Sequence, residues 1–102
     1  KNSEEAINEV KLDINEGADV IIIKPAISYL DIIHRIKQKF NVPIIAYNVS
    51  GEYSMIKSSA EKGHINEMDI IMETMCSMKR AGANAIITYF AFEIAKNLNS
   101  NV

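Results

Sequence analysis

A lysine stands at the end of the unbroken apolar run Val20-Ile21-Ile22-Ile23, directly before Pro25. The common role of such a lysine is to lay its stem along apolar surface while the ammonium reaches water. Its position admits a second role. An amine leaving an apolar wall is desolvated, which disfavours its charged form, and the neutral amine of Lys24 would attack a carbonyl to form a Schiff base. Ser50 and Tyr89 follow two further apolar runs at comparable places. Taken singly, Ser50 reads as a helix N-cap and Tyr89 as a half-buried strand aromatic. Taken together, an amine, a hydroxyl and a phenol at three strand ends suit a small keto acid, with imine formation at its carbonyl and neutral donors to its carboxylate. Gly51 would let backbone approach a ligand closely, and it fits an ordinary tight turn equally well.

The elements that must position these residues follow from periodicity. Ala6, Ile7, Val10 and Ile14 recur at spacings of three and four, which predicts a helix over residues 3–16 with Ser3 as its N-cap. Gly17 stops it and the first strand, residues 20–23, follows. Leu30, Ile32, Ile33, Ile36 and Phe40 predict a second helix, and Ile44 to Val49 a second strand. A helix over residues 52–61 is broken at Gly63. Another starts at Asn66 or Asp69 and runs through Ile70, Ile71, Met75 and Met78 to Gly82. Residues 85–89 form the third strand, before a short helix over 93–98. Glu16-Gly17-Ala18-Asp19 and Ala81-Gly82-Ala83-Asn84 echo one another as helix stops that feed strands. Unbroken Ile/Val strands, each preceded by a helix, predict a parallel α/β sheet covered on both faces, either a (β/α)8 barrel or an open doubly wound sheet. A barrel needs eight strands and about 250 residues. Residues 1–102 are therefore expected to be one C-terminal segment of a TIM (β/α)8 barrel, about three βα units, with the N-terminal strands outside this chain.

Composition bounds the function. The 102 residues suffice for one domain, and 48% hydrophobic against 24% charged residues predicts a chain that packs. A formal net charge of -2 gives no general field for nucleic acid or an anionic membrane surface. No apolar run approaches the roughly 20 residues of a membrane span, so a soluble protein is expected. The single cysteine, Cys76, pairs with no other and points to a reducing, intracellular compartment. Its apolar neighbours predict a core thiol. His34 and His64 read as surface residues. The start at Lys1, with a helix under way by Glu4, is what a piece of a longer protein would show.

The blocks Gly17-Ala18-Asp19, Ile23-Lys24-Pro25-Ala26, Tyr29-Leu30-Asp31-Ile32, Tyr47-Asn48-Val49-Ser50-Gly51-Glu52-Tyr53, Met55-Ile56-Lys57, Lys79-Arg80-Ala81-Gly82-Ala83 and Ile87-Thr88-Tyr89-Phe90 stand in this order along the chain. In that order they closely resemble the C-terminal part of the porphobilinogen synthase family, also called delta-aminolevulinic acid dehydratases. The resemblance implies a (β/α)8-barrel hydro-lyase of tetrapyrrole and heme biosynthesis that condenses two 5-aminolevulinate molecules into porphobilinogen with loss of two waters. It makes Lys24 the Schiff-base lysine, Ser50 and Tyr89 the holders of that substrate's carboxylate, and Tyr47 an aromatic of the pocket. It implies a divalent metal, zinc or magnesium, a homo-oligomer, an octamer in this family, and a cytoplasmic or, in a eukaryote, plastid location. The second lysine, the active-site metal ligands, the arginines for the other substrate and a lid would lie upstream, so the chain alone is expected to be inactive. Glu9 matches a carboxylate that in many members helps hold an allosteric magnesium; a solvated glutamate on the first helix is the other reading. Asn48, where glutamine or histidine is common, and Asn84, where aspartate is common, depart from the pattern. The rival readings are a truncated, non-catalytic remnant or small-molecule-binding module of the same fold, and another lysine-dependent barrel such as an aldolase.

Overall fold

Alternating helical and strand periods produce alternating elements. The computed structural model describes residues 2–100, with α1 (Ser3–Asn15), β1 (Ile21–Ile23), a 3-10 turn (Ile27–Tyr29), α2 (Leu30–Lys39), β2 (Ile44–Asn48), α3 (Ser50–Glu61), α4 (Glu67–Ala81), β3 (Ala85–Thr88) and α5 (Ala91–Ser100). The two echoed stops act alike: Gly17 and Gly82 follow α1 and α4 at φ of 103° and 130°, a region closed to most other residues. Asn84 then leads into β3. Its backbone N–H donates to the Ile44 carbonyl at 2.8 Å, while its Oδ1 accepts from Ile44 N at 3.0 Å and from Lys37 Nζ at 2.9 Å.

The first cap lies one residue earlier than the sequence predicts. Asn2 caps α1 by accepting from Glu5 N at 2.9 Å, which frees the Ser3 hydroxyl to accept from Arg35 Nη1. Arg35 Nη2 also reaches Glu4 Oε1 at 2.7 Å, clasping α1 to α2 and holding the Glu4 carboxyl below its ordinary value. Asn66 is the cap of α4, accepting from Asp69 N at 3.0 Å.

The three strands are parallel in the order β1-β2-β3, with Ile21 opposite Ile44, Ala46 opposite Ile86 and Asn48 opposite Thr88. One sheet face carries Ile21, Ile23, Ile44 and Ala46, all buried against Ile7 and Val10 of α1, Ile32, Ile33 and Ile36 of α2, and Ile71, Met75 and Met78 of α4. Burying one such side chain contributes about 1.5–3 kcal/mol. The opposite face is open, with Ile22 54% and Ile87 43% exposed. Cover on both faces, as the apolar strands predict, is therefore not what this chain provides. The 18 Å shortest dimension is one sheet and one helix layer. A run of isoleucines reports apolar surroundings without saying which chain segment supplies them. Cys76 is a second correction: it is exposed, because the buried stripe of α4 runs Ile71, Met75, Met78 and the next residue after Met75 points off it. His34 and His64 are exposed, as expected. Among the described residues no helix is long and apolar enough to cross a membrane.

Candidate functional site

Strand alternation puts Ile22, Lys24, Ile45, Tyr47 and Ile87 on the open face, Lys24 being the first residue past β1. Lys24 Nζ lies 5.9 Å from the centroid of the Tyr47 ring, and Tyr47, Ile87, Thr88 and Tyr89 line a depression of about 70 Å³ beside it. Lys24, Tyr47 and Tyr89 thus gather at the C-terminal edge of the sheet. Ser50 joins that edge as the first residue of α3, two residues after β2 ends. It is not a helix cap: Val49 holds that position and makes no side-chain cap bond. Lys24 and Tyr89 are both exposed, so this chain alone does not enclose them. The Lys24-Pro25 peptide is cis, and Ala26 N donates to the Tyr47 carbonyl at 3.1 Å, tying the turn after Lys24 to β2.

Tyr89 is backed by α3. The Tyr53 ring meets Tyr89 edge-on at 5.6 Å and 61°, and lies 4.6 Å from the Phe90 ring. Lys57 Nζ stands 5.8 Å from both the Tyr53 and Phe90 centroids and 3.0 Å from Glu67 Oε1. The hydrogen bond to Glu67 holds the Lys57 amine above its ordinary value.

Sequence reasoning assigned no task to Glu52, which is 4% exposed. Its Oε1 accepts from Asn48 Nδ2 at 2.6 Å and its Oε2 from Ile27 N at 3.0 Å. Asn48, fully buried, accepts at Oδ1 from the Thr88 hydroxyl at 2.6 Å, and Thr88 Oγ1 accepts from Phe90 N at 3.1 Å. A glutamate in the first turn of a helix reads as a partner for the helix dipole, which hid this role. No residue spacing marks it out, since Asn48 closes β2 while Glu52 lies in the first turn of α3.

The sequence profile of the family described as "Delta-aminolevulinic acid dehydratase" matches residues 1–97. The chain belongs to that family. Delta-aminolevulinic acid dehydratases of Staphylococcus aureus and of a Synechocystis species are 55% identical over 98 residues and 56% identical over 95, covering 96% and 93% of this chain. The chain spans 30% and 29% of those relatives' lengths. It also superposes at a TM-score of 0.91 on the crystal structure of the Toxoplasma gondii delta-aminolevulinic acid dehydratase (porphobilinogen synthase) in complex with the reaction product porphobilinogen. Identity there is 49%, over 93% of this chain and 27% of that one.

Dehydratases of this family imply a metal, and the described donors of this chain do not by themselves form a site for one. Among the described residues no group of three or more His, Cys, Asp or Glu side chains converges on a common point. Cys76 lies exposed on the outer side of α4. Glu9 is exposed on α1 and shares a groove of about 250 Å³ with Asp13 and Lys24.

Proposed function

We propose that this chain is the Schiff-base segment of a porphobilinogen synthase, the part of its (β/α)8 barrel that binds one 5-aminolevulinate and holds it as an imine on Lys24. The observation that carries the proposal is the gathering of Lys24, Tyr47 and Tyr89 on one face at the C-terminal edge of a parallel sheet, where barrel enzymes keep their chemistry. Sequential strand order with helices on one face is what an arc of barrel wall has, its open face being the barrel interior. The product bound to the Toxoplasma relative supports the substrate class.

In this reading the neutral Lys24 amine adds to the ketone carbon of 5-aminolevulinate, and the carbinolamine hydroxyl takes a proton from solvent and leaves as water, giving a protonated imine. Ser50 and Tyr89 donate hydrogen bonds to the substrate carboxylate. The Tyr47 ring face stands over the Lys24 nitrogen and stabilises the cationic imine. The remaining length of the full protein closes the barrel over Lys24 and brings the second substrate's lysine, arginines and metal ligands. Glu9 is read as one carboxylate of a magnesium site completed by a neighbouring subunit of the homo-oligomer.

Lys24→Ala in the full-length protein tests this. Product formation is expected to fall to background while circular dichroism stays native, since an exposed strand-end side chain supports little packing. Near-normal product formation would overturn the proposal.

A further inference from the structure

Among the described residues the buried polar side chains are Asn48 and Glu52, one closing β2 and the other in the first turn of the helix that follows it. Their bonds run in one direction. A carboxylate only accepts, so Glu52 requires a donor from each neighbour, Ile27 N–H on one oxygen and the Asn48 amide nitrogen on the other. The Asn48 oxygen must then face Thr88, whose hydroxyl hydrogen points at it and leaves a lone pair for Phe90 N–H. The chain of bonds begins three residues after Lys24, passes two residues either side of Ser50, and ends on the two residues flanking Tyr89. Every strand end that carries a proposed substrate contact is held by it.

We propose that Glu52 is a positioning residue for the Lys24 site, its carboxylate setting the direction of a hydrogen-bond chain that fixes Lys24, Ser50 and Tyr89 relative to one another. The inference rests on the Schiff-base reading above. Buried polar chains are costly unless every member is satisfied, and here each bond joins two different elements except the short link from Phe90 back to Thr88. Misplacing a reacting group by about 1 Å costs roughly a hundredfold in rate, so the geometry of these ends matters beyond their stability.

The test uses the full-length protein and borohydride trapping of 5-aminolevulinate on Lys24, measured against substrate concentration and well below the melting temperature. Glu52→Gln puts an amide donor where one acceptor stood, so with Ile27 N–H kept on the glutamine oxygen the Asn48 amide either faces a second donor or turns over and presents its nitrogen to Thr88, reversing the chain. Combining Asn48→Asp with Glu52→Gln restores every bond: the introduced glutamine accepts from Ile27 N–H and donates to the introduced aspartate, whose other oxygen accepts from Thr88. The expected result is trapping slowed roughly ten- to hundredfold in Glu52→Gln at saturating substrate, with recovery to within a few-fold of native in the double variant. Thr88→Val cuts the same chain at its half-buried end, where loss of fold is less of a risk, and is expected to slow trapping as well. Native trapping in folded Glu52→Gln or Thr88→Val, with only the melting temperature lowered, would reduce the network to a structural brace and overturn the proposal. So would a double variant that melts as the native protein does yet traps as slowly as Glu52→Gln. Absence of any adduct on the native protein would instead remove the Schiff-base reading itself, and this inference with it.

Discussion

The face that Lys24 joins was legible from its place after an apolar strand, because a period of two fixes the side a strand-end residue takes, and Tyr47 joins the same face for the same reason. Ser50 and Tyr89 were legible only as strand-end residues, and the structure changes the weight of their alternatives. Ser50 is exposed and caps nothing, and Tyr89 is 56% exposed, with its ring packed on Tyr53, a contact that Tyr89→Phe keeps. Ser50→Ala and Tyr89→Phe in the full-length protein should therefore leave the melting temperature unchanged. In the proposed site each removes a bond to the substrate carboxylate, worth about 1.5–3 kcal/mol, which is roughly ten- to hundredfold in the substrate concentration needed for half-maximal trapping. An unaltered concentration dependence in folded variants would refute the assigned roles. Glu52 stayed hidden because no local pattern separates a buried carboxylate from a solvated one at a helix start.

The elements themselves were legible to within two residues at nearly every boundary, since Gly17, Gly63 and Gly82 punctuate strong apolar periods. What escaped was the 3-10 turn at Ile27–Tyr29 and the cap at Asn2, where neighbouring Asn2 and Ser3 are both good caps and the Ser3 hydroxyl is engaged instead by Arg35, 32 positions away. Gly82→Ala is expected to be destabilising by about 1–3 kcal/mol from its backbone conformation alone. Its new Cβ would also lie 2.7 Å from Lys37 Cγ, displacing the lysine that donates to Asn84. Gly51→Ala has no atom within 4 Å of the new Cβ and no positive φ, so thermal melting of the pair should show a loss for the first and none for the second. The clasp between α1 and α2 carries a pH signature. Arg35 lowers the Glu4 carboxyl from 4.5, so the stabilisation is present above that ordinary value and is lost as pH falls through the lowered one. An NMR titration of the Glu4 carboxyl should place its midpoint below 4.5, moving up toward it in Arg35→Ala; a midpoint indifferent to Arg35 would contradict the clasp.

At the scale of the whole molecule, a parallel sheet with one covered face leaves Ile22, Ile87 and Tyr89 in water and the outer edges of β1 and β3 unpaired. Such edges and apolar faces pair with other chains. The 102-residue chain expressed alone is expected to elute larger than a monomer, and a monomer with a cooperative thermal transition would show the face to be tolerable in solution. The parallel order was legible in the sequence; the single covered face was not, because hydropathy records that Ile22 and Ile45 want burial and is silent on what buries them. The open face is also where the proposed chemistry stands, which makes the lysine on it the decisive residue. The most direct measurement saturates the full-length protein with 5-aminolevulinate, reduces it with borohydride and maps the peptides by mass. The peptide holding Lys24 should gain the mass of one substrate, less one water and plus two hydrogens. An unmodified Lys24 under conditions where the protein turns over would contradict the account.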